Sequence, residues 1–334
     1  MTNFYTSVVR YGNSMLYRGY DATGQKIFKK DHFKPVFFVN SPKDVGWRGI
    51  DETQIAPVQF ESMREAKNWL AKYDDVKGFN VYGATNYIHQ YITSKFPRDI
   101  EFDRDKINVT NIDIETEYND GFPHPDIADQ KILAITIKNN IDNTYHVWGY
   151  GDYNIEAALI KPVKYYRCRD EASLLSKFLD FWSTHQNMPD VITGWNIRFF
   201  DVPYLINRTH RILGVDMTKK FSPWGLIDSR EITKRGKKTN VFDIKGIQQL
   251  DYMELFQKFG YSYGPQESYR LNHIAYVVLG EKKLSFEESG SLKNLYKDDF
   301  QKYIDYNMKD VQLIERLEDK LSLITLAMTI AYKG

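Results

Sequence analysis

Three separated segments hold residues whose types and spacing suit metal-assisted chemistry. In Asn111-Ile112-Asp113-Ile114-Glu115-Thr116-Glu117 the acids at 113 and 115 stand two apart, so on a strand they share a face. Like charges held together raise each other's pKa, so the pair either sits in water at a strand end or binds a divalent cation. In Gly194-Trp195-Asn196-Ile197-Arg198-Phe199-Phe200-Asp201 an acid follows an apolar strand and precedes a helix, a place where α/β proteins collect functional groups. Asp201 is alternatively an N-cap for a helix starting near Val202 and Pro203. In Tyr306-Asn307-Met308-Lys309-Asp310 a spacing of four puts a phenol and a carboxylate on one helical face, for catalysis or for a plain tyrosine–aspartate hydrogen bond.

Taken together, Asp113, Glu115, Asp201 and Asp310 supply four negative charges, which matches two Mg²⁺ ions. In a two-metal scheme, ions roughly 3.5 to 4 Å apart activate water and stabilise the leaving oxygen of a phosphodiester, a substrate that bare carboxylates would repel. Tyr306 would orient the attacking water.

These residues need elements to bring them together. The first hundred residues read as short strands and turns, Phe4 to Tyr11, Ser14 to Tyr20 and Phe37 to Asn40, with a turn at Asp21-Ala22-Thr23-Gly24. One amphipathic helix follows, capped by Ser62 with Glu65 and burying Ala66, Trp69, Leu70 and Tyr73. A polar stretch from Phe96 to Lys106 marks a boundary, giving a β-rich domain over 1–104 and a second domain over 105–334. There the pattern becomes three strands (Ile107 to Glu115, Ile132 to Lys138, Tyr145 to Tyr150), a helix (Glu171 to His185), a strand (Val191 to Trp195) and a helix (Pro203 to Leu213). That order predicts an α/β or α+β layer domain with a mixed sheet. Ile227 to Gln248 predicts a long hairpin with a basic tip, and Asp298 to about Ala331 one long helix.

Composition fits this plan. The 334 residues suffice for roughly two domains at about 150 residues each. One cysteine, Cys168, excludes a disulfide framework and a multi-thiolate zinc site, so a reducing, cytoplasmic setting is expected. Met1-Thr2-Asn3-Phe4-Tyr5 lacks a basic leader, and no apolar run of about 18 residues occurs, so neither export nor membrane spanning is expected. The net charge of +1 hides a dipolar chain: ten acids face two basic residues between Asp99 and Asp129, and nine Lys or Arg face three acids between Tyr204 and Lys238. Such a chain can hold cations at one place and phosphates at another, and the alternative is two solvated loops. No Gly-X-Gly-X-X-Gly or Gly-X₄-Gly-Lys-Ser/Thr occurs, which disfavours a dehydrogenase or a P-loop kinase.

In this order the three acidic segments resemble the Exo I, Exo II and Exo III motifs of the Asp-Glu-Asp-Asp exonuclease superfamily, in its tyrosine-bearing branch. With Phe200-Asp201-Val202-Pro203-Tyr204, Phe221-Ser222-Pro223 and Leu250-Asp251-Tyr252, most of the chain is similar to the proofreading region of family B DNA polymerases of T-even-type bacteriophages. In the N-terminal part the similarity rests on Met63-Arg64-Glu65-Ala66-Lys67-Asn68-Trp69. The resemblance implies a ribonuclease H-like fold and a metal-dependent 3′-to-5′ DNA exonuclease using two Mg²⁺, with Mn²⁺ as an alternative. It implies that Asp113 bridges both ions, Glu115 and Asp310 hold the ion that activates water, Asp201 contacts the other, and Tyr306 assists the nucleophile. It further implies that Lys234, Arg235, Lys237 and Lys238 sit on a hairpin that separates primer from template, and that Asn196, Phe122 and Phe200 contact DNA. Stacking on a frayed strand suits the two phenylalanines, at about 1 to 3 kcal/mol per base.

Palm motifs of the form Asp-X-X-Ser-Leu-Tyr-Pro-Ser and Tyr-X-Asp-Thr-Asp are absent, so the chain is not expected to polymerise alone. Palm, fingers and thumb are expected either on a second chain or in the rest of a longer one, with the apolar stretch Leu321 to Tyr332 facing them. Primer-template and single-stranded DNA are the expected partners, in a host cytoplasm if the source is a phage. The rival readings are a free-standing exoribonuclease with the same site and a noncatalytic nucleic-acid-binding subunit.

Overall fold

A computed structural model describes residues 3–73, 76–118, 121, 123–234 and 236–333. The chain divides into two compact units, residues 1–102 and 103–332. The first holds β1 (Phe4–Tyr11), β2 (Ser14–Tyr20) and β3 (Lys26–His32) in an antiparallel meander. A second antiparallel sheet joins β4 (Val36–Asn40), β5 (Trp47–Arg48), β6 (Gln54–Gln59) and β7 (Val81–Tyr82) in the order β5-β6-β4-β7. Helices α1 (Met63–Tyr73) and α2 (Tyr87–Lys95) cover an aromatic core that includes Phe37, Phe60, Tyr87 and Tyr91. The Ser62 hydroxyl accepts the Glu65 N–H at 3.1 Å, as a capping box requires, and the Glu65 carboxylate reaches back to the Glu61 N–H at 2.9 Å. Met63 and Ala66 are the buried residues of α1, and Trp69 is half-buried between Phe37 and Tyr73.

The second unit is built on a six-stranded mixed sheet. Its strands are β8 (Val109–Thr116), β9 (Ile132–Asn139), β10 (Tyr145–Gly149), β11 (Val163–Arg167), β12 (Val191–Gly194) and, after a separate hairpin of β13 (Ile227–Lys234) and β14 (Lys237–Ile244), β15 (Gln248–Asp251). The order is β11-β10-β9-β8-β12-β15; the β8-β9-β10 meander is antiparallel, and β8, β12 and β15 run parallel. The α/β class and the mixed sheet are those the sequence predicts.

The helices are α3 (Glu171–Trp182), α4 (Asp201–Leu213), α5 (Val215–Thr218), α6 (Tyr252–Phe259), α7 (Leu271–Leu279), α8 (Leu292–Asp298), α9 (Phe300–Leu321) and α10 (Leu323–Lys333). Ile112, Ile114, Ile135 and Ile137 pack with Leu174, Phe178, Val202 and Leu205 of α3 and α4. Leu133, Ala134 and Val147 pack on the other face with Tyr303, Ile304 and Val311 of α9. Each strand thus has two apolar layers to serve, which is how a sandwiched sheet places alternate residues.

Three sequence expectations change. The single C-terminal helix is two, because Ser322 takes a left-handed conformation (φ 52°) between α9 and α10. Gln248 leaves the hairpin and starts a sheet strand beside β12. Leu323, Ile324 and Met328 of the apolar end are buried, leaving Leu326 and Ile330 as its exposed large apolar residues, so the stretch is only in part open surface.

Candidate active site

The strand pleat decides which side chains meet. With Ile112 and Ile114 turned toward α3 and α4, Asn111, Asp113 and Glu115 turn toward α9. Asn111 donates to the Val311 carbonyl at 2.7 Å, and Asn307 of α9 donates to Asp113 Oδ2 at 2.6 Å while accepting from Thr136 on β9. One oxygen from each of Asp113, Glu115 and Asp310 lies within 4.8 Å of the others.

Asp201 arrives from the opposite helical layer as the first residue of α4, and its Oδ1 accepts the Ile114 N–H at 3.1 Å. The fourth acid is therefore tied to the backbone between the two strand acids. It does not cap the helix: Phe200 holds the cap position and makes no side-chain cap bond. A close approach permits this: a Cβ on Gly194, at the end of β12, would lie 2.5 Å from the Ile112 carbonyl oxygen, so only glycine lets β12 run this tightly against β8.

Burying these acids together shifts all four upward. Burial, then the charges of Asp310, Asp201 and Glu115, holds Asp113 well above the usual carboxylate range. Burial and Asp310 push Glu115 up to about 8. Burial raises Asp201 to about 7 against the opposing pull of the Ile114 N–H. Burial raises Asp310 too, although Lys283 works against it.

Lys283, from the segment between α7 and α8, ion-pairs with Asp310 Oδ2, and its Nζ lies 3.4 Å from the Tyr306 hydroxyl. Burial disfavours its charge, but Asp310, Tyr306 and Asp113 outweigh that and raise its pKa. A lysine ammonium thus answers one negative charge of four. Asp310 Oδ1 is buried and has no hydrogen-bond partner among the described residues. An all-carboxylate donor set with an unpartnered buried oxygen and raised pKa values fits hard divalent cations.

A cleft of about 670 Å³ opens beside Glu115. Phe200, Phe286, Tyr296 and Tyr303 supply aromatic wall, and Lys293 and Lys297 of α8 supply cations. Tyr306 packs edge-on against Phe286.

The structure brings Asp113, Glu115, Asp201, Tyr306 and Asp310 to one place and sets Phe200 in the adjoining cleft. Asn196 lies in the β12–α4 turn. It has φ 65°, its N–H bonds Asp251 at 3.1 Å, its carbonyl accepts from Phe199 and Phe200, and it does not line the cleft. Phe122 and Arg235 lie outside the described residues, as do the side chains of Lys234 and Lys237. Lys238 pairs with Glu231 across the hairpin at 2.7 Å. The basic stretch is extensively paired: Lys219 with Asp216, Lys220 with Asp180, Arg230 with Asp243, and Arg208 with Glu171.

Sequence reasoning missed Lys283 and Asn307. Asn307 carried a usable signal, an amide next to Tyr306 and three residues before Asp310 on the same helix, and the structure buries it fully. Lys283 carried none, being a loop lysine with no periodic spacing to the acids.

Residues 67–274 match the family model described as DNA polymerase family B, exonuclease domain. The chain is 30% identical, over 99% of its length, to the DNA-directed DNA polymerase of Escherichia phage RB69, and 28% identical over 99% to that of Enterobacteria phage T4. It spans 39% and 38% of those two relatives, about two fifths of their length. It is also 31% identical, over 46% of its length, to the DNA polymerase delta catalytic subunit of Bos taurus.

Proposed function

The chain belongs to the family B DNA polymerases, whose exonuclease domain it carries, and from that membership we propose that it is a proofreading 3′-to-5′ DNA exonuclease that hydrolyses phosphodiesters with two divalent cations. The observation that carries this reading is the convergence of Asp113, Glu115 and Asp310 within 4.8 Å around an unpartnered carboxylate oxygen. Asp113, Glu115, Asp201 and Asp310 would hold Mg²⁺, or Mn²⁺ in its place. Bound cations supply the positive charge that lets an anionic phosphodiester approach four carboxylates and that stabilises the leaving oxygen.

The remaining roles belong to the chain's own residues. The Tyr306 hydroxyl, held near Lys283, orients the attacking water, and Lys283 opposes the rise that burial imposes on the Asp310 carboxyl. Asn307 fixes the Asp113 carboxylate. The strand end enters the cleft, where Phe200 and Tyr296 offer ring faces to unpaired bases and Lys293 and Lys297 attract phosphates. Asn196, Phe122 and the hairpin residues Lys234, Arg235, Lys237 and Lys238 are further DNA contacts in this reading. Residues 105–334 form the exonuclease domain behind a β-rich domain over 1–104. Palm, fingers and thumb lie outside this sequence, on a second chain or further along a longer one, and the enzyme works in the cytoplasm of a phage-infected host.

The test compares DNA and RNA strands of one sequence, labelled at either end, with Mg²⁺. A ladder shortening from the 3′ end of DNA is expected. Preferential loss of RNA would favour the exoribonuclease reading, and binding without cleavage would favour a noncatalytic subunit.

A further inference from the structure

We propose that α4 clamps the loop between β8 and β9, and that Asn207, Arg208 and Arg211 are thereby positioning residues for Asp201; this inference rests on the metal-site reading above. Tyr204, Asn207, Arg208 and Arg211 recur at i, i+3, i+4 and i+7 and so share one face of α4. All four donate to backbone carbonyls of the loop: Tyr204 to Gln130 at 2.7 Å, Asn207 to Pro125 at 2.9 Å, Arg208 to Ala128 and Asp129 at 3.0 and 2.8 Å, and Arg211 to Ile127 at 2.9 Å. Five carbonyls in a six-residue stretch are thus satisfied by one helix face. Ala128 sits at φ 45°, which a non-glycine residue adopts only when its surroundings impose it.

Arg208 extends the clamp into the sheet. Its Nε and Nη2 donate to the two oxygens of Glu171, each at 2.7 Å, and Glu171 Oε1 also accepts the Ile132 N–H at 2.8 Å. Ile132 opens β9 opposite Thr116, the neighbour of Glu115. Asp201 lies seven residues before Arg208, about 10 Å along the helix at 1.5 Å per residue. Only the first residue of α4 enters the acid site, so a slide or rotation of α4 moves the Asp201 carboxylate against Asp113 and Glu115. Metal ligation tolerates displacements of only a few tenths of an ångström. The clamp fixes that register from the far end of the helix.

The test uses Asn207→Ala/Arg211→Ala, which removes two of the three donors outside the buried Arg208–Glu171 pair, and Arg208→Lys, which keeps the charge and loses the fork. Mn²⁺ binding to the chain alone is measured by calorimetry, beside kcat and KM on a single-stranded DNA. About tenfold weaker Mn²⁺ binding is expected for the double variant, with kcat reduced and KM within about twofold. A lowered melting temperature with unchanged Mn²⁺ affinity in both variants would make the network merely structural and overturn the proposal. Absence of Mn²⁺ binding by the unaltered chain would instead overturn the metal-site reading, and the clamp's role with it.

Discussion

Asp251 and Asp310 are both 3% exposed, yet the protein treats them in opposite ways. The Asp251 oxygens accept the N–H groups of Asn196, Arg198, Met253 and Glu254 at 3.1, 3.0, 3.0 and 3.4 Å. That carboxylate caps α6, pins the β12–α4 turn, and is answered in full by backbone. Asp310 has Lys283 on one oxygen and no partner among the described residues on the other, beside Asp113, Glu115 and Asp201. Burial raises both acids. A buried carboxylate is structural when donors saturate it; when its neighbours are more carboxylates, the folded chain carries a cost that only a further cation offsets.

Substitutions should separate the two regions. Asp113→Ala or Asp310→Ala should lower nuclease kcat by about 10³-fold or more, the loss of several kcal/mol of charge stabilisation, with strand binding largely kept in a filter or anisotropy assay. Asp251→Ala should instead cost about 3 kcal/mol of stability in chemical denaturation, because four backbone donors lose their acceptor. Metal-free Asp113→Asn should melt higher than the unaltered protein; a lower melting temperature would place the acid cluster in the structural class.

The same contrast has a pH signature. Glu115 and Asp201 have pKa values raised to about 8 and about 7, above their unfolded values. In that window the folded state binds protons that the unfolded chain has released, so stability falls as pH rises. In EDTA, melting should drop by more than about 10 °C between about pH 5 and about pH 8.5, and Mg²⁺ should restore most of it. A flat profile would mean the acids are not mutually buried. The smallest effect is expected of Tyr306→Phe, about tenfold in kcat, the worth of one orienting hydrogen bond.

How far the sequence discloses this depends on which regularity carries each residue. Asp113 and Glu115 are legible because a strand repeats every two residues, and Tyr306 and Asp310 because a helix brings i and i+4 together. Asp201 is legible as an acid between a strand and a helix, but that it accepts an N–H from another strand instead of capping α4 is something no local pattern encodes. Lys283 sits in an irregular segment 27 residues before Asp310, so only tertiary structure could reveal it. Strands β11 and β15, five and four residues long, lacked the isoleucine-rich runs that marked β8 and β9. The break at Ser322 was hidden because apolar residues continue through it. Charge counting along the basic stretch does not see that Arg208, Lys219, Lys220 and Arg230 already have carboxylate partners.

The central claim is that the four converging carboxylates make a metal-dependent nuclease site. It is tested most directly on a 5′-labelled single-stranded DNA, with Mg²⁺ or EDTA, using unaltered protein beside Asp113→Ala. The claim predicts a shrinking ladder that requires both Mg²⁺ and Asp113; degradation that persists in EDTA, or in highly purified Asp113→Ala protein, would contradict it.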